Sequence, residues 1–161
     1  IAADRNEARV TLTGIADRPG TVAAVMQPLA AAGIQVDMIV HAATAGEGSS
    51  DLTFTVPRAS LAHAVSAIEA RREEIDIGEM ITDDRVAKVS IVGAGIRSNP
   101  ELAAKMFDTL AERGINLLAV SASEIKVSVL VEEDDMELAV RVLHTAFGLD
   151  EARETRSGEA A

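Results

Sequence analysis

The sequence predicts an α+β fold made of two copies of one βαββαβ unit, each an antiparallel sheet with helices on one face. Two observations carry this expectation: the chain repeats itself, and within each copy the apolar period switches between strand and helix. Ala8-Arg-Val-Thr-Leu-Thr-Gly14 matches Ala87-Lys-Val-Ser-Ile-Val-Gly93 and, after a two-residue insertion, Leu29-Ala-Ala-Ala-Gly-Ile34 matches Leu110-Ala-Glu-Arg-Gly-Ile115. Ser50-Asp-Leu-Thr-Phe-Thr-Val56 then matches Ser123-Glu-Ile-Lys-Val-Ser-Val129, and Leu61, Ala64, Val65 and Ile68 match Met136, Ala139, Val140 and Leu143.

Each copy opens on a strand: Val10–Ile15 alternates apolar residues with threonine, and Val89–Val92 repeats the pattern. Val22, Val25, Met26 and Leu29 then form a helical stripe that ends at Gly33, and Leu102, Met106 and Leu110 form its counterpart ending at Gly114. Pro28 lies inside the first stripe and is expected to kink it by removing a hydrogen bond to Ala24. Val36–Val40 and Leu117–Val120 read as buried strands, and Leu52–Val56 and Ile125–Val131 as alternating ones. Gly46-Glu-Gly-Ser49 reads as the first connecting turn, and Arg58–Glu73 and Asp135–Phe147 as the second helices. Ile75–Ile81 supplies a fourth strand to the first copy. The second copy has no such strand after its last helix, but Ile1–Asp4 occupies the place that Met80–Asp83 holds in the other repeat. The N-terminal residues are therefore expected to complete the second unit, giving domains at 5–83 and at 84–150 plus 1–4, with a flexible tail at 151–161.

Composition narrows the function. With 161 residues, 48% of them hydrophobic, the chain has ample material for a core. The 15 Lys and Arg against 26 Asp and Glu leave a net charge of −11, which repels a phosphate backbone, and three Phe without Trp or Tyr provide few stacking platforms. No nucleic-acid partner is expected. The absence of cysteine excludes disulfides, thiolate metal sites and a Cys nucleophile. No apolar run approaches membrane-spanning length and the first residues lack a targeting pattern, so the expectation is a soluble cytoplasmic protein with no membrane partner. The first residue is Ile rather than Met, as in a piece of a longer chain or a trimmed product.

Few motifs carry chemistry. Gly93-Ala-Gly95 follows a strand, but Ser98 stands where a dinucleotide fingerprint needs its third glycine, so a tight strand-to-helix turn is the competing reading. His41, His63 and His144 have no metal-ligand spacing, and Glu132–Asp135 reads as a solvated helix start. No cofactor and no metal are expected. Ala16-Asp-Arg-Pro-Gly20 and Ile96-Arg-Ser-Asn-Pro100 are more informative, since each links a strand to a helix and leaves unpaired N–H groups at the helix start. Asn99 is a candidate N-cap with Pro100 at the first helical position. Two anion-ready turns beside ammonium acceptors such as Asp17 or Asp37 suit a free amino acid; ordinary turns remain the competing reading.

Gly14-Ile-Ala-Asp-Arg-Pro-Gly20, Gly33-Ile-Gln-Val-Asp-Met-Ile39, Asp51-Leu-Thr-Phe-Thr-Val-Pro57, Val86-Ala-Lys-Val-Ser-Ile-Val-Gly-Ala-Gly95 and Ser121-Ala-Ser-Glu-Ile-Lys-Val-Ser128 closely resemble the tandem ACT-domain regulatory region of aspartate kinases. The resemblance implies two ferredoxin-like ACT domains, feedback inhibition by threonine, lysine or both, and a homodimer that holds the ligands where an ACT unit of one chain meets one of another. It implies a catalytic kinase domain or alpha subunit as partner, and no catalysis by this chain alone, since the kinase nucleotide-binding motifs are absent here. Asp17, Arg18, Pro19, Gly20, Thr21 and Val22 match the family's threonine pocket, completed by Asn116 and Leu117 of the facing chain. Asp37, His41 and Thr44 on the next strand, with Ser121 and Ser123, match positions tied to effector binding or to resistance against feedback inhibition; Ser98 and Asn99 belong to the second anion-ready turn. The sequence departs from the family at His41, where Gln is usual, and at Ala42, which replaces Asn. A ligand-free ACT-type dimerisation module is the alternative, and a small ferredoxin-like enzyme a third reading, which lacks a convergent acid, base or nucleophile.

Overall fold

A computed structural model describes residues 1–43, 48–93, 96 and 98–149. Strands β1 (Ala2–Ala16), β2 (Ile39–Ala43), β3 (Ser49–Val56), β4 (Glu79–Val92), β5 (Ala119–Ala122) and β6 (Lys126–Glu132) alternate with helices α1 (Thr21–Ala31), α2 (Leu61–Glu69), α3 (Arg72–Ile75), α4 (Pro100–Glu112) and α5 (Met136–Ala146). The chain divides into two compact units, one of Asn6–Val86 and one that joins Ile1–Arg5 to the residues from Ala87 onward.

In the first unit the strand order is β2-β3-β1-β4, and β3 pairs antiparallel with both β1 and β2. Its core is one-sided. Val10, Leu12, Leu52, Phe54 and Val56 meet Val25 and Leu29 of α1, Ala64 and Ile68 of α2 and Ile75 of α3. The second unit has the order β1-β4-β6-β5, with Ile1 packed against a core of Val89, Val127, Val129, Met106, Leu110 and Leu143. Period-two alternation explains both cores, because residues two apart share a sheet face.

The repeat also sets the helix ends. α1 runs through the buried Pro28 to Ala31, and Gly33 takes φ +71° while Ile34 N–H donates to Leu29 O at 3.0 Å. Gly114 at φ +68° and the 3.0 Å bond from Ile115 N–H to Leu110 O reproduce that cap. A left-handed residue just past a helix is where glycine is favoured.

Several element boundaries differ from expectation. Val36–Val40 and Leu117–Val120 were expected as buried strands, but β2 and β5 begin later; β2 is largely exposed and β5 alternates half-buried with exposed residues, because they are the outer strands of their units. The expected helix Arg58–Glu73 is three pieces, a 3-10 turn at Arg58–Ser60, then α2 and α3. Ile75 therefore closes α3 instead of opening a strand, and Asp76 adopts φ +55° to release the chain. The expected pairs of short strands at Ile1–Asp4 with Val10–Ile15, and at Ile75–Ile81 with Val89–Val92, are continuous β1 and β4, each of which serves both units.

Candidate functional site

The first unit's strand-to-helix turn is placed by a bulge. The register of β1 against β3 shifts between Leu12 and Ile15, with Gly14 at φ +62° and its N–H donating to Asp51 Oδ1 at 3.2 Å. Gly78 N–H donates to Thr13 O at 3.0 Å, and a Cβ on Gly78 would lie 2.9 Å from that oxygen. Such an inserted residue re-aims the strand end. Beyond it, Asp17 N–H donates to Gly48 O at 3.0 Å, leaving the Asp17 side chain exposed. Arg18, Pro19 and Gly20 are also exposed, and Gly20 adopts φ +91° as N-cap with no side-chain cap bond. Thr21 N–H donates to Arg18 O at 3.4 Å, and the N–H groups of Val22 and Ala23 present positive partial charge at the helix start.

A cavity of about 220 Å³ opens between the Arg18–Thr21 turn, Ala24, and Glu74 and Ile75 of α3. Thr21 is only 7% exposed, and its Oγ1 has no hydrogen-bond partner among the described residues.

On edge strand β2, His41 pairs with Leu52 and Ala43 with Ser50. His41 Nε2 lies 2.9 Å from Ser50 Oγ, and Ser50 also pairs with Ile15 of β1. The Asp17 turn, His41 and Ser50 therefore share one end of this sheet. Asp37 does not join them. Its N–H donates to Thr55 O at 3.0 Å, six residues further along β3 than Ser49, or roughly 20 Å at the rise of a strand. The expectation of Asp37 beside the turn as an ammonium acceptor is thus corrected within one chain: β2 runs antiparallel to β3 and carries Asp37 to the opposite end. Thr44, part of the expected Gly46–Ser49 turn, the Gly95 end of the glycine motif and the tail at 151–161 lie outside the described residues.

In the second unit Gly93 N–H donates to Ile125 O at 2.9 Å, so the turn carrying the exposed Ser98 and Asn99 leaves from the end of the sheet that holds the β5–β6 hairpin. Pro100 is the first residue of α4 as expected, but the Asn99 side chain makes no cap hydrogen bond. Ser121 pairs with Ser128 across β5 and β6, while Ser123 N–H donates to Lys126 O at 2.7 Å. Asn116, exposed, and Leu117, half-buried, precede β5 at its other end. Ser50, Asp51 and Glu74 are not among the site candidates that the sequence suggests. The repeat held a signal for the first, since Ser50 aligns with Ser123. Among the described residues no three His, Cys, Asp or Glu side chains gather to hold a metal ion, and no helix is long and apolar enough to cross a membrane.

The ACT domain family matches residues 10–71 and 89–147. An aspartate kinase of Pseudomonas putida is 48% identical over 150 residues, covering 93% of this chain and 36% of that protein. The chain thus spans just over a third of the length of that relative. Among solved structures, one of aspartokinase alpha and beta subunits superposes with a TM-score of 0.85 at 46% identity, covering 91% of this chain and 96% of the matched one. The ligand-free regulatory subunit of aspartate kinase from Thermus thermophilus gives 0.85 at 40% identity, covering 91% and 95%.

Proposed function

This chain belongs to the ACT domain family, as an aspartate kinase regulatory region, and from that premise we propose that it is an allosteric amino-acid sensor that binds threonine, lysine or both and transmits feedback inhibition to a catalytic kinase domain or alpha subunit in the cytoplasm. The observation that carries the reading is the shared end of the first unit's sheet, where an uncapped helix start, Asp17 and the His41–Ser50 pair converge on an open edge strand. The helix start suits an α-carboxylate, Asp17 an α-ammonium, and His41 a hydroxyl or carboxylate.

The half-site is completed by a second chain. β2 is the outer strand of one unit and β5 of the other, and an open edge is a template for pairing. Antiparallel pairing of β2 with a partner's β5 brings the Asn116 and Leu117 of that copy to the Asp17–His41 end. The same pairing sets Asp37 opposite the other copy's Ser121 and Ser123. Each β2–β5 contact then holds two pockets, and the twofold symmetry of a homodimer repeats them. The separation of Asp37 from Asp17 becomes a reason for two effector positions. Ligand binding favours one dimer arrangement, with a coupling of about 1–3 kcal/mol.

Calorimetric titration with threonine, with lysine and with the two together, beside thermal melts, tests this. A ligand of the folded state raises the melting temperature. Absence of both heat and thermal shift at millimolar concentration for either amino acid rejects the sensor and leaves a ligand-free dimerisation module.

A further inference from the structure

The two repeats differ in charge where the second unit packs α4 on α5. A cavity of about 330 Å³ opens there, lined by the exposed Arg113, Arg141 and Glu112 together with the buried Val142 and the half-buried Ala146. The register that aligns Leu29 with Leu110 sets Ala31 and Ala32 of the first unit at Glu112 and Arg113, and the register that aligns Ile68 with Leu143 sets Ser66 at Arg141. The fold therefore needs no charge at this place. Arg113 is the C-cap of α4, where a cation is favoured by the helix dipole. Arg141 lies inside α5 and has no such reason. The carboxylate one turn before it, Glu137, is taken by Arg5 at 2.8 Å. Neither Arg113 nor Arg141 forms an ion pair among the described residues, although acidic residues outnumber basic ones by 26 to 15 in this chain.

We infer that this cavity between α4 and α5 is a binding site for a phosphate monoester, a dianion carried on a small organic group. The planar fork of each guanidinium matches the oxygens of a phosphate, and two of them supply the charge that a dianion needs. Thr109, also on the cavity wall, spends its hydroxyl hydrogen on Lys105 O at 2.7 Å, so recognition of the phosphate rests on the two arginines. Glu112 opposes any anion, and a single negative charge therefore gains little. Val142 and Ala146 give the organic group an apolar wall, in a volume at the lower end of small-molecule pockets, roughly 300–1,000 Å³. An acidic protein surface is a poorer fit, because the net charge of −11 repels an extended array of carboxylates. A small dianion feels chiefly the charges within a screening length of about 8 Å. Every wall belongs to the second unit of one chain, and none is a residue of the effector reading, so the site stands without that reading and without a second copy.

The test is a backbone-amide NMR titration of the full chain with phenyl phosphate at fixed ionic strength, beside inorganic phosphate, succinate and a short glutamate peptide. Saturable shifts are expected at Thr109–Gly114 and Arg141–Ala146 with phenyl phosphate, and binding of the other three is expected to be weaker by about threefold or more. Arg113→Gln and Arg141→Gln each weaken phenyl phosphate about tenfold, the loss of one charge-assisted hydrogen-bonding group. Arg141→Lys, which keeps the charge and loses the fork, falls between the parent and Arg141→Gln. Glu112→Gln acts in the opposite direction and tightens binding about threefold by removing a like charge. All three side chains are exposed, so the variants fold; should Arg113→Gln unravel the end of α4, Arg141→Gln and Glu112→Gln still decide. No saturable shift, unchanged affinity in the arginine variants, weaker binding in Glu112→Gln, or succinate or the glutamate peptide binding as tightly as phenyl phosphate overturns the inference.

Discussion

His41 Nε2 and Ser50 Oγ lie 2.9 Å apart, and Ser50 is fully buried, so the one imidazole on the edge strand is tied to the interior end of β3 beside the Asp17 turn. His41→Ala leaves a buried hydroxyl unpaired, destabilising the chain by about 1–2 kcal/mol and lowering the melting temperature by several degrees. It also weakens threonine binding. His41→Gln, which restores a side chain able to donate and accept, retains both properties. Melting curves and calorimetric titrations of the two variants check this.

Asp17→Ala is expected to weaken threonine or lysine binding by about 2 kcal/mol or more, since it unpairs the ligand's ammonium, while Asp17→Asn loses less. The empty protein melts unchanged in both variants, because the turn is held by the Asp17 backbone bond to Gly48 O and its side chain is exposed. Affinities equal to the parent's place the pocket elsewhere.

Ile39 and Val120 are large apolar residues on the two edge strands, exposed by 49% and 40%. Lysine at either position protects an open edge. If the proposed dimer forms, the parent is expected at twice the 16.8 kDa of one chain by light scattering, and Ile39→Lys and Val120→Lys are expected near the mass of one chain, with threonine binding lost.

Gly78→Ala puts a methyl 2.9 Å from the backbone oxygen of Thr13, where neither partner is a flexible side chain. A destabilisation of about 1–3 kcal/mol is expected, read as a lower denaturation midpoint in urea. A Gly33→Ala change meets no atom within 4 Å and suffers only from its φ of +71°, so its loss is about 1–2 kcal/mol from the left-handed backbone alone.

The two-unit plan, the one-sided cores and the glycine-marked ends of α1 and α4 were legible in the sequence alone. These rest on local rules: alternation in Val10–Leu12 and Leu52–Val56 selects a buried face, and Gly33 and Gly114 each follow a helix at a left-handed position. The Asp17–Val22 turn was legible for the same reason, because a strand, a Pro-Gly turn and a helical stripe follow within a few residues. The tertiary structure decided what depends on a distant partner. Thr55 takes the N–H of Asp37 on its carbonyl and that of Met38 on its hydroxyl; β2 begins only at Ile39, and Asp37 is fixed far from Asp17. Neither Ser50 beneath His41 nor Glu74 across from Thr21 has a local signature of that role, since sequence neighbours set the direction of a strand or helix while the pairing of remote elements sets which side chains meet.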